Sequence, residues 1–277
     1  MTQALIIYHK NCADGFTAAW VAHRALGSGE LLAANYGDAP PDVKGRDVVI
    51  ADFSYPRDVL LDMKAQAQSL VVLDHHKTAK DALEGLDFCV FDVEECGASL
   101  TWKHYHPGVS LPPIVRYVKD RDLWLWKQFR SKEVSAYIGS LDQTLDGWDL
   151  LHTDLLDREK EFVTCVAAGD AILRSQHREM LRMAKDATDV RIHGVSVRAA
   201  NAPVLISETG DHLVKTSPSG VSGLWHVKGD TAYWSLSSDG RVDVADLARG
   251  YGGGGHPKAA GFKIPVGTHA FIMGWSE

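Results

Sequence analysis

The chain has 277 residues, of which 45% are hydrophobic, and a formal net charge of −7 at pH 7. Its length allows two domains with buried cores, whereas its acidic balance argues against a protein that holds long nucleic acid mainly by neutralising phosphates. A short anionic substrate bridged by metal cations remains compatible with that charge.

Cysteine spacing and the start of the chain predict a cellular compartment. The four cysteines, Cys12, Cys89, Cys96 and Cys165, include no Cys-x-x-Cys pair, so they predict neither a disulfide framework nor a structural zinc site. The first residues lead directly into an apolar run, without the basic start of a signal peptide or the length of a membrane span. We therefore expect a cytoplasmic protein that does not cross a membrane.

The amino-terminal half repeats a strand–loop–helix pattern three times. The apolar run 4–8 is followed by a loop and a helix over 16–26, and the run 47–54 by a helix that opens at Pro56. The third strand, 70–73, ends in Asp74-His75-His76. Three such units predict an α/β fold with a parallel, doubly wound sheet and right-handed crossovers.

Acidic residues and histidines follow all three of these strands. His9 and Asp14 lie in the first loop, Asp52 follows the second strand, and the Asp-His-His run follows the third. Ligands of open α/β sheets bind at the carboxyl ends of the strands, so these side chains should converge. Two simpler interpretations stay open: Asp14 caps the following helix, and a histidine at a strand end is a hydrogen-bonded structural residue.

The next segment adds a fourth acidic contribution. A strand over 88–91, a helix over 97–105 and a helix from Pro112 lead to Asp120-Arg121-Asp122, which two tryptophans follow closely. Two carboxylates within three residues are unusual for a plain surface turn. We expect one of them to join the site, with Asp120 preferred to Asp122.

The remainder divides into helices and a smaller domain. Residues 150–187 have near-helical apolar spacing, and short strand-like runs follow at 190–192, 195–199, 212–216, 222–227 and 232–236, then a helix over 243–249. The predicted domains are 1–149, a helical connector 150–188, and a smaller α/β domain 189–277.

A glycine run near the carboxyl-terminal end predicts an anion-binding nest. Its nominal Gly-x-Gly-x-x-Gly follows a helical segment instead of a strand, so we reject dinucleotide binding. Glycines followed by an alanine-rich helix suit backbone contact with a phosphate, with a flexible hinge as the alternative. The predicted substrate contacts are Gly253, Gly254, Gly255 and His256.

Three motifs occur in order along the chain: Asp74-His75-His76 after a strand, the glycine run, and Ala259-Ala260-Gly261. In these motifs and their order, the sequence resembles the DHH phosphoesterase superfamily with a carboxyl-terminal DHHA1 domain. That superfamily holds single-strand-specific exonucleases, short-oligoribonucleotide hydrolases, cyclic-dinucleotide phosphodiesterases and, more distantly, manganese-dependent pyrophosphatases. The resemblance covers nearly the whole chain.

The resemblance implies a role for each matching residue. One divalent metal site, expected for Mn²⁺ with Mg²⁺ as an alternative, would be completed by Asp14, Asp52 as the bridging carboxylate, His75 and Asp120. A second site would be left with His9, Asp52 and Cys12. His76 would face the substrate phosphate and Asp74 would hold the histidine pair, and both are assigned as catalytic.

Two positions depart from the family's pattern. Cys12 stands where the first motif usually has an aspartate, which puts occupancy of the second metal site in question. Ser237 stands where the second domain often has a phosphate-gripping arginine, and Arg241 and Lys258 are the nearby candidates to replace it.

We predict a metal-dependent phosphodiesterase that hydrolyses short oligonucleotides or small nucleotides with a metal-activated water. Ionised carboxylates gathered in one cleft repel each other unless cations lie between them, which supports a metal site independently of the resemblance. The alternatives are a phosphatase acting on a phosphorylated small molecule or polyphosphate, and a catalytically silent nucleotide-binding protein. Substrate is expected between the two domains, and the oligomeric state, a homodimer included, is left open.

Overall fold

A computed structural model describes residues 4–156 and 161–274. The chain divides once, into a first compact unit that ends at Leu173 and a second that begins at Arg174. This division falls inside a long helix, Glu161–Lys185. The three-part division with boundaries at 149 and 188 remains a prediction.

The first unit contains a five-stranded sheet in the order β2-β1-β3-β4-β5, in which every neighbouring pair is parallel. Its elements are β1 (Leu5–His9), α1 (Ala13–Leu26), β2 (Glu30–Ala34), β3 (Asp47–Ala51), α2 (Arg57–Gln66), β4 (Ser69–Asp74), α3 (Lys77–Ala82), β5 (Cys89–Phe91), α4 (Gly97–Tyr105), α5 (Pro113–Asp122), α6 (Ser131–Ile138) and α7 (Leu145–Leu156), with α8 (Glu161–Lys185) crossing into the second unit.

Alternation along the strands gives this sheet two buried faces. Ile7 packs in one hydrophobic cluster with Leu60 of α2, whereas its neighbour Ile6 packs in another with Ala19 of α1 and Leu100 of α4. Successive strand residues point to opposite faces, so a strand buried on both sides is almost wholly apolar. The predicted doubly wound parallel sheet is confirmed.

The strand order places a topological switch point between β1 and β3. From β1 the chain moves to one side to form β2 and then returns to the other side of β1 to form β3. Helices that leave adjacent strands on opposite faces open a crevice at the carboxyl ends, where ligands of such folds bind. His9 ends β1 and Asp52 directly follows β3.

Two details of this unit differ from the sequence prediction. Strand β2 was not predicted, although Leu31-Leu32-Ala33-Ala34 is a short apolar run. Helix α1 begins at Ala13, so Asp14 lies in its first turn and not in the loop. Gly15 is also helical, and a Cβ there would lie 2.3 Å from the carbonyl oxygen of His9, so the glycine permits close packing of α1 on β1.

The second unit contains a six-stranded sheet in the order β10-β11-β9-β8-β7-β6, in which only the β7–β8 pair is parallel among the described strands. Its elements are β6 (Thr188–Ile192), β7 (Val195–Asn201), α9 (Ile206–Val214), β8 (Val221–Lys228), β9 (Thr231–Ser238), α10 (Val244–Arg249), β10 (Gly254–His256), β11 (Ala259–Pro265) and α11 (Val266–Met273).

Two sequence predictions in this unit are wrong. The run 212–216 is not a strand, because helix α9 continues to Val214 and buries Thr209, Gly210 and Leu213 at helical spacing. The alanines after the glycine run are not helical: Ala259 and Ala260 begin β11, which pairs antiparallel with β10.

The helices of residues 4–156 and 161–274 include none with an apolar stretch long enough to span a bilayer.

Candidate functional site

Carboxylates and imidazoles from four segments meet at the carboxyl edge of the parallel sheet. His75 follows β4, and its Nε2 atom lies 3.2 Å from Asp52 Oδ1, 3.9 Å from Asp14 Oδ2 and 3.7 Å from Asp122 Oδ2. Asp14, Asp52 and His75 are at most 4% exposed. Charged side chains are rarely buried to this extent unless they are paired or bind a metal.

Asp52 occupies the centre of the site in an unusual backbone conformation. Its φ is 64°, in the left-handed region that non-glycine residues seldom adopt and that Asp and Asn tolerate best. Oδ1 faces His75, and Oδ2 lies 3.5 Å from His9 Nδ1. Within the described chain Oδ2 is buried without a hydrogen-bond partner. Strained backbone and an unsatisfied buried oxygen together are typical of a functional site.

Asp14 is fixed by the amino terminus of α4. Its Oδ2 accepts a hydrogen bond from the Gly97 backbone at 2.6 Å, and its Oδ1 accepts one from the Ala98 backbone at 2.8 Å. The free N–H groups and the dipole of a helix amino terminus stabilise a carboxylate. Asp14 therefore satisfies a helix end, as one interpretation expected, but the helix is α4 and not α1.

Gly97 makes this close approach possible. A Cβ at position 97 would lie 2.5 Å from Asp52 Cβ and 2.9 Å from Asp14 Oδ2. We expect Gly97→Ala to displace one of these carboxylates, to lower the free energy of unfolding by about 1–3 kcal/mol and to weaken Mn²⁺ binding, as measured by chemical denaturation and calorimetric titration. The control is Gly139→Ala, since an added Cβ there makes only an ordinary contact of 3.4 Å. Equal Mn²⁺ affinity in both variants would contradict the prediction.

Asp74 holds the His75–His76 pair. Its Oδ1 accepts hydrogen bonds from the backbone N–H of His75 at 2.7 Å and of His76 at 3.2 Å, and from His76 Nδ1 at 2.7 Å. Ser54 Oγ donates to its Oδ2 at 3.0 Å. Because Nδ1 of His76 donates to Asp74, a contact between this ring and a ligand would be made through Nε2.

The structure places Asp122, and not the preferred Asp120, beside His75. Asp120 Oδ1 accepts from the Lys127 backbone at 2.9 Å, while its Oδ2 accepts from the Gln128 backbone at 3.1 Å and from Ser131 Oγ at 2.5 Å. Both oxygens of Asp120 are therefore committed to the loop after α5. Asp122, whose side chain is 25% exposed, lies beside His75 instead.

The cluster has more negative than positive groups, and the pKa values reflect this. Burial, reinforced by Asp52 and Asp122, raises the pKa of Asp14 well above its usual range. Burial would also raise the pKa of Asp52, but contacts with His75 and His9 hold it below its usual range. Burial would lower the pKa of His75, whereas Asp52, Asp122 and Asp14 raise it to about 10. His75 thus lies among three carboxyl groups whose mutual repulsion opposes full ionisation.

The donor atoms fall into three overlapping groups that fit a divalent cation. The atoms of each group lie within 4.8 Å of one another, and the groups are Asp14, His75 and Asp122; Asp52, His75 and His76; and His9, Cys12 and Asp52. Oxygen and imidazole donors suit Mn²⁺ or Mg²⁺. A cation would give the buried Asp52 Oδ2 a partner and relieve the repulsion among the carboxylates.

Sequence reasoning missed Tyr36, which follows β2. Its ring centroid lies 6.0 Å from that of His76, 5.8 Å from that of His9 and 6.0 Å from that of Phe53. The residue as a whole is 53% exposed. Partial desolvation of the phenol by its neighbours, with Asp74 and Asp52 nearby, raises its pKa, so the hydroxyl remains a hydrogen-bond donor. Tyr36 became a candidate only when β2 was known.

The predicted contacts of the glycine run lie in a tight hairpin of the second unit. Gly254 pairs with Gly261, Gly255 with Ala260 and His256 with Ala259. A Cβ at Gly253 would lie 2.1 Å from the carbonyl oxygen of Gly261, so close packing of the two strands accounts for that glycine. Of the replacements for the missing arginine, Arg241 donates to Asp239 from Nε at 2.8 Å. Phosphate binding at this run remains a prediction.

Comparison with known proteins identifies the second unit. Residues 190–270 match the DHHA1 domain family. An uncharacterized protein of Acanthamoeba polyphaga mimivirus is 26% identical over 292 residues, which include 93% of this chain. The chain spans 66% of the length of that relative.

Solved structures share the fold across nearly all of the chain. A DHH domain from a member of the s1p family of ribosomal proteins has a TM-score of 0.65 at 14% identity, over 99% of this chain and 85% of the other. The exonuclease RecJ bound to manganese has a TM-score of 0.53 at 14% identity, over 99% of this chain and 89% of the other. At this level of identity the likeness concerns the fold.

Proposed function

We propose that the chain is a DHH-type, metal-dependent phosphodiesterase acting on short oligonucleotides or small nucleotides. The match of residues 190–270 to the DHHA1 domain family and the fold shared with a solved DHH domain support this proposal. The observation that carries this proposal is the convergence of Asp14, Asp52, His75 and Asp122 around one point at the carboxyl edge of the sheet. In such folds this edge is where ligands bind.

Each side chain of the cluster has a distinct role. Asp14, His75 and Asp122 would hold one cation, with Asp52 contributing from β3. A divalent cation held by these residues would supply an activated water and neutralise negative charge on the phosphoryl oxygens. The amino terminus of α4 fixes Asp14, and the left-handed backbone fixes Asp52, so these two ligands are oriented before a cation binds.

His76 would act on the substrate phosphate. Burial would lower its pKa, but the hydrogen bond and charge of Asp74 raise it, which favours the protonated form of the ring. A protonated Nε2 can bind a phosphoryl oxygen or protonate the leaving oxygen. Asp74 is a positioning residue in this scheme, because its contacts to the pair fix the ring.

The net negative charge of the protein favours a short substrate. The protein is acidic overall, so an extended polyanion gains little from its surface, whereas a short substrate can be held by cations at the site. The exonuclease RecJ, whose fold the chain shares, supports including nucleic acid among the candidates.

The test is a Mn²⁺-supplemented screen of short RNA, short DNA, cyclic dinucleotides, bis-phosphorylated nucleosides and polyphosphate. We expect mononucleotide release from at least one phosphodiester, loss of activity in Asp74→Ala, and full activity in Asp62→Asn, which changes an exposed carboxylate of α2. Cleavage of phosphomonoesters or polyphosphate alone would favour the phosphatase. Nucleotide binding without turnover, unchanged in Asp52→Asn, would favour the silent binding protein.

Mutation of the two carboxylates of α5 should have different effects on metal binding and on stability. Asp122→Asn is expected to weaken Mn²⁺ binding at least about tenfold without loss of stability in the metal-free protein, because it removes a repelling charge. Asp120→Asn is expected to lower the free energy of unfolding by about 1.5–3 kcal/mol, since it weakens charged hydrogen bonds in the following loop. Calorimetric Mn²⁺ titration and chemical denaturation measure the two effects, and the reverse pattern would restore Asp120 as the ligand.

A further inference from the structure

The first strand and the first helix contribute a donor group unlike the rest of the site. It consists of His9 at the end of β1, Cys12 at the residue before α1, and Asp52 after β3. One donor atom from each lies within 4.8 Å of the others. Cys12 is a free, partly exposed cysteine.

One buried oxygen of this group, Oδ2 of Asp52, makes no hydrogen bond within the described residues. Asp52 Oδ2 lies on the His9 side, 3.5 Å from Nδ1, and has no hydrogen-bond partner in the part of the chain that the structure describes. Asp52 is 2% exposed, so bulk water does not compensate. A cation between Asp52 Oδ2, the imidazole and the sulfur would satisfy this oxygen.

The donor chemistry of this group differs from that of its neighbour. The Asp14, His75 and Asp122 group offers oxygen and nitrogen only, which suits Mn²⁺ and Mg²⁺. A thiolate is a soft ligand, and mixed sulfur, nitrogen and oxygen sets bind Zn²⁺ and Co²⁺ more tightly than Mn²⁺. Three protein ligands also leave a coordination position open, as in catalytic zinc sites.

We propose that His9, Cys12 and Asp52 form a cation site that selects thiophilic divalent cations of the Zn²⁺ and Co²⁺ class, with Cys12 as a thiolate ligand. Formation of the sulfur–metal bond releases the thiol proton to solvent. The inference rests on the proposed function in one respect, that Asp52 is a metal ligand. It gives the two neighbouring sites different metal preferences.

Cobalt spectroscopy on the metal-free protein tests this inference without an activity measurement. Titration with Co²⁺ should produce a sulfur-to-cobalt charge-transfer band. The band should persist in Cys89→Ser, which changes another partly exposed cysteine, and disappear in Cys12→Ser and Cys12→Asp. Added Zn²⁺ should abolish it, whereas an equal concentration of Mn²⁺ should leave it in place.

The aspartate variant distinguishes loss of the thiolate ligand from loss of the fold. Cys12→Asp supplies a hard ligand at the same position, so it should bind Zn²⁺ at least about tenfold more weakly than the parent and bind Mn²⁺ more tightly. A band that survives in Cys12→Ser, or a Zn²⁺ affinity unchanged in Cys12→Asp, overturns the inference. If the charge-transfer band appears but the protein hydrolyses none of the substrates in the screen, only the proposed function is refuted. If the protein hydrolyses a substrate with Mn²⁺ but shows no band with Co²⁺, only the thiolate site is refuted.

Discussion

Asp52→Asn is expected to lower kcat/KM by more than about 100-fold and to weaken Mn²⁺ binding in parallel. Asp52 takes part in two of the three donor groups, with Oδ1 beside His75 and Oδ2 beside His9. Asparagine keeps one oxygen and tolerates the left-handed backbone, so the change removes charge with little effect on the fold. Steady-state kinetics and metal titration measure both losses.

The backbone conformation of Asp52 dictates the choice of variant. Alanine at this position adds the strain of a positive φ to the loss of the carboxylate, and the two effects could not be separated. Asp62→Asn is the matched control. Unaltered turnover in Asp52→Asn with intact metal binding would show that chemistry does not depend on this cluster.

His76→Ala is expected to lower kcat by about 10²- to 10⁴-fold while Mn²⁺ affinity is retained. The expectation follows from the Asp74 hydrogen bond to Nδ1, which orients the ring and raises its pKa. A general acid must carry its proton, so the parent should lose activity as pH rises through the pKa of His76. In His76→Ala this basic limb should be absent from the pH profile of kcat.

An exposed histidine provides the comparison for this second variant. His177 lies on α8 and is exposed, so His177→Ala should keep the parent's kcat and pH profile. If His76→Ala loses Mn²⁺ binding as severely as Asp52→Asn does, His76 is a metal ligand and its assignment to the substrate phosphate is incorrect.

Apolar patterning predicted the sheet and part of the site. Runs such as Val71-Val72-Leu73 are typical of parallel strands buried on both faces, and the polar residues that follow such strands meet at one edge of the sheet. That argument located Asp52, His75 and His76 without a structure.

To choose between Asp120 and Asp122, one must know which face of helix α5 each residue occupies. Residues two apart lie about 200° apart around an α-helix, so only one of them continues a given face. Val115, Val118 and Asp122 follow the spacing i, i+3, i+7, and both valines are buried. This signal was present in the sequence, but Asp120 is buried too, under a loop whose path no periodicity encodes.

Other features depend on contacts between distant segments. Asp14 meets Gly97 and Ala98 across more than eighty positions, and the ring of Tyr36, which follows the unpredicted edge strand β2, lies near that of His76. The glycine run is a strand only because it pairs with β11, and this pairing partner lies outside the run itself.

The ligands come from segments as far apart in sequence as His9 and Asp122, so the unfolded chain has no site in which a cation could bind. Binding and folding are then thermodynamically linked, and a cation present at 100 times its dissociation constant adds about 2.7 kcal/mol to the free energy of unfolding. The midpoint of thermal denaturation therefore reports metal affinity directly, before any substrate is known.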